Sequence, residues 1–568
     1  MFETKKQTLF PSQGTMASGK PANPFVKAGL KNAAKTTSLG NGAVKLTTTN
    51  NDFVDQFGKV TNYKAPRSFK EVSADMSLLW SQSKIKTICL LFYIRMITRV
   101  VSLFDGTKTS TTQRGQGLKH EGIFRMIWLH SNAPETFWKN INVYISIGSW
   151  KDVITMLSYD LQWHGWEQRV LDWNKFGQLI LAGLENPNTS ELVKKYLPQI
   201  KARSACKTIE SQADTIIAKW ICSLLFGGKN NESAKNYKAY RLLKTGGTAH
   251  QWQQLISQGK VLSIDFNTVH GRALAQLVSG KFLANNGLEA NYQKWIETKP
   301  IAKYTGYVYE LLSTVKIGYH NANLKKYQIE TINKQFLGMI ETAKNGMTEG
   351  ESGLLVVVDS SSSMTGTVPG TKVSAYSVAK SMALYFSYLL KGKFENTFME
   401  FNDKAGLISW KGTTPVDKLQ NDRCEAYGST NFQSIADTFG KILKEGVSES
   451  DFPSGILCVS DGCFNSAGSN KSNFSALKTK LRGYGFSNEY VDKFKVVLWD
   501  VPNNSYGNKS QTAFEDFADA PYLYHISGLD GSAVAFLTGV KGQVSTPKNS
   551  EELFEAAMNQ EVLSMIEI

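Results

Sequence analysis

A multidomain protein, with an α-helical repeat half followed by a doubly wound α/β domain, is the fold class that the 568-residue sequence predicts. Three observations carry it. Apolar residues recur at helical spacing from about residue 70 to 345, with no alternating strand pattern between them. Beyond Gly353 the texture changes to the continuous, β-branched run LLVVVD, as in a strand buried on both faces of a parallel sheet. The strand-like stretches TFMEF, GILCVSD and FKVVLWD then alternate with helical ones, which spells α/β winding. The length has room for two to four domains.

Residues 1–69 are rich in Lys, Thr, Asn, Gly, Ser and Ala, with little apolar periodicity, and read as a polar, basic, extended arm. Residues 70–345 form the helical region. Its stripes are Ile85, Ile88, Cys89, Phe92 and Met96; Ile123, Met126, Ile127 and His130; Phe137, Ile141, Tyr144 and Ile145; and Ala213, Ile216, Ile217, Trp220, Ile221 and Leu224. Stacked helix pairs without a strict sequence period follow from that spacing. Residues 346–568 form the α/β domain, with a helix face at Val378, Ala379, Met382, Ala383 and Phe386. Its last twenty residues, with Leu553, Phe554, Ala557, Met558, Val562 and Leu563, predict a closing amphipathic helix.

Charge divides along the same boundary. Residues 1–350 hold 45 Lys+Arg against 24 Asp+Glu, and residues 351–568 hold 19 against 25, giving +21 and −6. A polyanion is therefore expected on the arm and helical half. The six cysteines contain no CxxC pair, which excludes a zinc ribbon or thioredoxin motif and fits a reducing, cytoplasmic setting. No apolar run reads as an export signal or a membrane span, since Ile88–Ile94 is stopped by Arg95.

At the carboxyl end of the first α/β strand stands Asp359-Ser360-Ser361-Ser362-Ser363, where open α/β sheets bind ligands. A carboxylate and two hydroxyls on alternate residues suit a hard divalent cation. Thr430 in GSTNF and Asp461 in LCVSDG are candidates for further oxygens. D-x-S-x-S, then T, then D resembles the metal-ion-dependent adhesion site of von Willebrand factor A domains. That resemblance implies Asp359, Ser361, Ser363, Thr430 and Asp461 around Mg²⁺, with one position left for an acidic group of a partner. A plain serine-rich turn is the competing reading. Catalysis has little support: Ser361 or Ser363 would need a base, the nearest downstream histidine is His525, and no nucleotide-binding glycine motif follows a strand.

In the helical half, ICLLFYIRMITRV, RGQGLKHEGIFRMIWLH and NVYISIGSWKDVITML resemble the TROVE module of the Ro ribonucleoprotein family, and also an uncharacterised plant and viral family. The resemblance implies a HEAT-like helical ring closed by the von Willebrand factor A-like domain, binding small structured RNA outside and single-stranded RNA ends through its hole. Three clusters are candidate phosphate contacts. They are Arg114, Lys119 and His120, where Gly115 and Gly117 allow close backbone approach; Lys194, Lys195, Lys201, Arg203 and Lys207; and Lys235, Lys238, Arg241 and Lys244. An ordinary solvated face explains each equally well. Trp163, Trp166 and Trp173 read as core before they read as base-stacking platforms.

Two functions follow. The first is a non-enzymatic RNA-binding protein with a Mg²⁺ site. The other is a metal-dependent protein-interaction or assembly component, as of a virus particle, without RNA.

Overall fold

The computed structural model describes residues 36–38, 44–46, 51–59, 67–227, 233–246, 251–269, 271–304, 306–315, 323–345, 353–368, 371–422, 426–462, 464–465, 473–501, 521–529, 532–539 and 545–568. Short strands β1 (Thr36–Ser38) and β2 (Val44–Leu46) pair antiparallel near the start. Sixteen α-helices among the described residues then precede the α/β sheet. They are α1 (Asp52–Lys59), α2 (Phe69–Gln82), α3 (Lys84–Arg95), α4 (Lys119–Asn132), α5 (Pro134–Ile147), α6 (Trp150–His164), α7 (Trp173–Glu185) and α8 (Ser190–Tyr196). The series continues with α9 (Ile209–Phe226), α10 (Ser233–Thr245), α11 (Gln251–Ser257), α12 (Gly271–Ser279), α13 (Phe282–Asn285), α14 (Glu289–Glu297), α15 (Val308–Leu312) and α16 (Lys326–Asn345).

Local chemistry sets these boundaries. Ser68 and Glu71 form a capping box at α2, Thr208 and Ser211 another at α9, and Pro134 opens α5 where its missing N–H costs nothing. Neighbouring helices pack in succession, α3 on α4 and α4 on α5, while α6 meets α9. Helix α3 is buried from Thr87 to Arg95, and the buried Arg95 is neutralised by Asp152 of α6 at 2.6 Å. A smaller core around Leu274, Leu283, Tyr292 and Ile296 holds α12 to α14.

One short antiparallel pair interrupts the helices, β3 (Ile97–Arg99) with β4 (Gln113–Gln116). Three or four residues are too few for alternation to register, so the glycine-rich RGQG reads as a turn in sequence, whereas its first three residues stand in a strand. Helix α1 lies inside the expected arm; its Phe53, Val54 and Phe57 are buried, with Phe57 and Phe554 meeting edge to face at 5.7 Å.

The sheet of the α/β domain runs β10-β9-β8-β5-β6-β7, from β5 (Leu355–Asp359), β6 (Thr397–Phe401), β7 (Ala405–Ser409), β8 (Gly455–Ser460), β9 (Lys495–Asp500) and β10 (Leu523–Ser527). All pairings are parallel except β6 with β7. The helices around it are α17 (Ala375–Ser387), α18 (Pro415–Gln420), α19 (Ser434–Lys444), α20 (Asn473–Tyr484), α21 (Asn488–Lys493) and α22 (Ser550–Met558).

Both faces are covered, which is why LLVVVD is continuously apolar. Leu355 and Val357 pack with Ile435, Phe439 and Leu477 of α19 and α20, whereas Val356 and Val358 join α17. That second face belongs to the same core as the helical half: Phe336 of α16 sits 5.4 Å from the Tyr388 ring. The closing helix stops at Met558, short of its expected extent. Beyond it, Val562 N–H donates to Gln113 and Glu567 N–H to Asn140, so side chains of the helical half draw the last residues out of helical register.

Candidate metal centre and nucleic-acid interface

Chain winding leaves β5 at the centre with β6 on one side and β8 on the other, so the crevice beyond their carboxyl ends is the sheet's topological switch point. Asp359 ends β5 there, fully buried. The chain leaves the strand with Ser360 N–H and Oγ both donating to the Phe401 carbonyl of β6, at 2.9 and 3.0 Å. Ser361 N–H then donates to Asp359 Oδ1 at 2.9 Å, and the hydroxyls of Ser361 and Ser363 stand 3.1 Å apart. Three alternate oxygens thus converge, as the spacing predicts.

Asp461 follows β8, whose final residue Ser460 donates its hydroxyl to Asp359 Oδ2 at 2.5 Å. Thr430 sits on a loop stitched to both neighbours. Tyr427 N–H donates to the Ser360 carbonyl at 2.7 Å, and Asn465 N–H to the Thr430 carbonyl at 2.9 Å. Gly428 makes the turn at φ +79°, where a side chain would also strike Asp403. Asp403 in turn accepts from the Ser429 amide and hydroxyl. Thr430 and Asp461 are both buried.

Burial first, and the neighbouring Asp461 charge second, push the Asp359 carboxyl up to about 7. Among the described residues the groups that bond it are hydroxyl and amide donors, with no cationic side chain in an ion pair to it. Carboxylate and hydroxyl oxygens are the donors a hard divalent cation takes, and among the described residues no group of three His, Cys, Asp or Glu able to hold a metal ion occurs.

The sequence reading missed Ser460 and a buried ion triad. Lys380 of α17, fully buried, contacts Glu400 of β6 and Asp422 at 2.5 Å each, with its ammonium 4.1 Å from the Phe398 ring centre. Asp422 begins the segment leading to Thr430. The only signal in sequence is a lysine on the apolar face between Ala379 and Met382.

The basic candidates divide. Arg114 is buried on β4, its backbone N–H donating to Gln560 at 2.6 Å, and so is no surface phosphate contact. Gly115 does allow a close approach, but to the protein's own chain: a Cβ there would lie 2.4 Å from the Tyr93 carbonyl. Gly115→Ala is expected to cost about 1–3 kcal/mol, since backbone must shift; chemical unfolding measures it. Lys119 and His120 are half-buried, desolvation lowers both, and His120 bonds the Tyr159 hydroxyl at 2.9 Å.

Lys194 pairs with Glu191 at 2.9 Å, and Lys195 lies against the Tyr196 ring. Lys244 donates to the Lys195 and Leu197 carbonyls, satisfying the carboxyl end of α8, while Tyr240 donates to the Pro198 carbonyl at 2.9 Å. These bonds dock α10 on the segment following α8. They bring Lys244 of the third cluster against Lys195 of the second, and Lys201, Lys207, Lys235, Lys238 and Arg241 are exposed. The Arg203 side chain lies outside the described residues. Lys119 and Lys151 share an electrostatic neighbourhood with Lys201 around Asp214.

Trp173 is buried and Trp163 packs on the core, as expected. Trp166 is 38% exposed, with the Arg169 guanidinium 3.7 Å from its ring centre.

Fold and site together define a helix-rich protein joined to a mixed, mainly parallel α/β sheet with an oxygen-rich crevice at its switch point. No protein-family model matches the chain, and no curated protein does. Among solved structures, the Ro (RSR) protein of Deinococcus radiodurans is similar at 10% identity with a TM-score of 0.34, over 90% of this chain and 99% of that one. No helix among the described residues is long and apolar enough to cross a membrane.

Proposed function

We propose that this chain is a non-catalytic RNA-binding protein. Its helical half, arranged as a HEAT-like ring closed by the α/β domain, holds small structured RNA and single-stranded RNA ends. The crevice at Asp359, Ser361, Ser363, Thr430 and Asp461 holds Mg²⁺, completed by an acidic group of a partner, and the protein acts in the cytoplasm. The observation that carries the RNA reading is the partition of charge, +21 against −6, together with the exposure of Lys201, Lys207, Lys235, Lys238 and Arg241.

Replacing Lys201, Arg203 and Lys207 together by alanine tests it. Three lost phosphate contacts should weaken binding of a structured RNA and make the log affinity against log salt slope shallower by about 2–3 units. An unchanged affinity and slope would remove this surface from the interface. A second reading, a metal-dependent assembly component without RNA, is favoured by the buried carboxylate pair at the crevice. Mg²⁺-dependent capture of an acidic protein by chain free of nucleic acid would select it.

A further inference from the structure

A cavity of about 200 Å³ lies where the helical half meets the α/β domain. Its walls come from β3 and β4, from α12 and α16, and from α17. Arg114 of β4 and Arg272 of α12 are among its lining residues. Arg272 is held in place by Glu310 at 2.7 Å and by the Tyr307 ring at 5.2 Å, while half its side chain remains accessible. The rest of the wall is largely apolar, with Met339, Met382, Phe386 and Leu389, and no aspartate or glutamate is among its described lining residues. Neither the metal crevice nor the basic surface uses any of these groups except Arg114, which burial had removed from the RNA candidates.

We infer that this cavity binds a small organic carboxylate with an apolar body. The half-accessible Arg272 guanidinium, whose Nη2 already pairs with Glu310, has further N–H donors for a carboxylate. The methionine, leucine and phenylalanine walls accept an acyl or aryl chain, and methionine adapts to its shape. A phosphate dianion would pay a larger desolvation cost against those walls. The volume falls below the ~300 Å³ at which drug-sized pockets begin, so the ligand is compact. Because the walls belong to both halves, a bound carboxylate bridges them and stabilises the joined form.

Octanoate is the probe, with inorganic phosphate and uridine monophosphate as comparisons, each titrated into the full chain by calorimetry and by thermal unfolding. Octanoate is expected to bind saturably at one site per chain and to raise Tm. Arg272→Gln should weaken it by about ten- to a hundredfold through loss of a charged hydrogen bond. Ala343→Phe, on a half-buried lining position, should abolish binding while the protein stays folded. Absence of saturable octanoate binding to folded wild-type protein overturns the inference. So does an affinity that either variant leaves unchanged, or binding of phosphate or the nucleotide in place of octanoate.

Discussion

Lys380→Met is expected to destabilise the protein by about 3–5 kcal/mol, because it strands two buried carboxylates. Methionine nearly fills the lysine's volume, so packing against Phe398 and Trp410 is largely kept and the loss isolates the charge. Glu400 and Asp422 are both buried, and Tyr376 supplies a neutral hydrogen bond to Glu400, at 3.1 Å. Urea unfolding followed by circular dichroism reads the effect. The further variant Lys380→Met, Glu400→Gln, Asp422→Asn should recover most of the loss, because polar amides replace the stranded charges. A change below ~1 kcal/mol in the single variant would mean that water reaches the triad and that it does not tie β6 to the Thr430 segment.

Asp359→Asn should eliminate stabilisation by Mg²⁺ while leaving the fold intact. Asparagine keeps the size and an oxygen for the Ser361 amide, but not the charge that a divalent cation requires. Wild-type protein should gain about 2.7 kcal/mol of stability at a Mg²⁺ concentration a hundred times its dissociation constant, and the variant nothing. The pH dependence without metal gives an independent sign. The Asp359 carboxyl is raised by burial, then by Asp461, from 3.8 to about 7, so the folded chain holds its proton more tightly than the unfolded chain does. That contribution is fully present below pH ~4 and is lost as pH rises towards 7. Metal-free wild type should therefore lose stability relative to Asp359→Asn across that window. Equal Mg²⁺ responses in the two proteins would remove Asp359 from the cation site.

The parts legible in the sequence are those where one interaction dominates over several residues. Alternate faces of β5 are both buried, so Leu355 to Val358 had to be apolar, and the residue ending such a strand at a switch point was readable as a site. Spacing also brought Asp359, Ser361 and Ser363 together, because a turn after a strand repeats its oxygens at every second position. Contacts between distant segments left no such trace. Nothing local marks Arg114 as buried under Gln560, Lys244 as a carbonyl donor to residue 197, or α1 as packed on Phe554. A lysine that satisfies a helix end and one that meets a phosphate have the same sequence; the difference lies in which helix docks beside it.

Purifying the protein from its native cells, then extracting and sequencing co-purified nucleic acid before and after a high-salt wash, tests the central claim most directly. The account expects small structured RNA, enriched over the cell's total and released by salt, because exposed Lys and Arg bind by displacing counterions from phosphates. Protein free of RNA at low salt, carrying a stoichiometric protein partner instead, would contradict it.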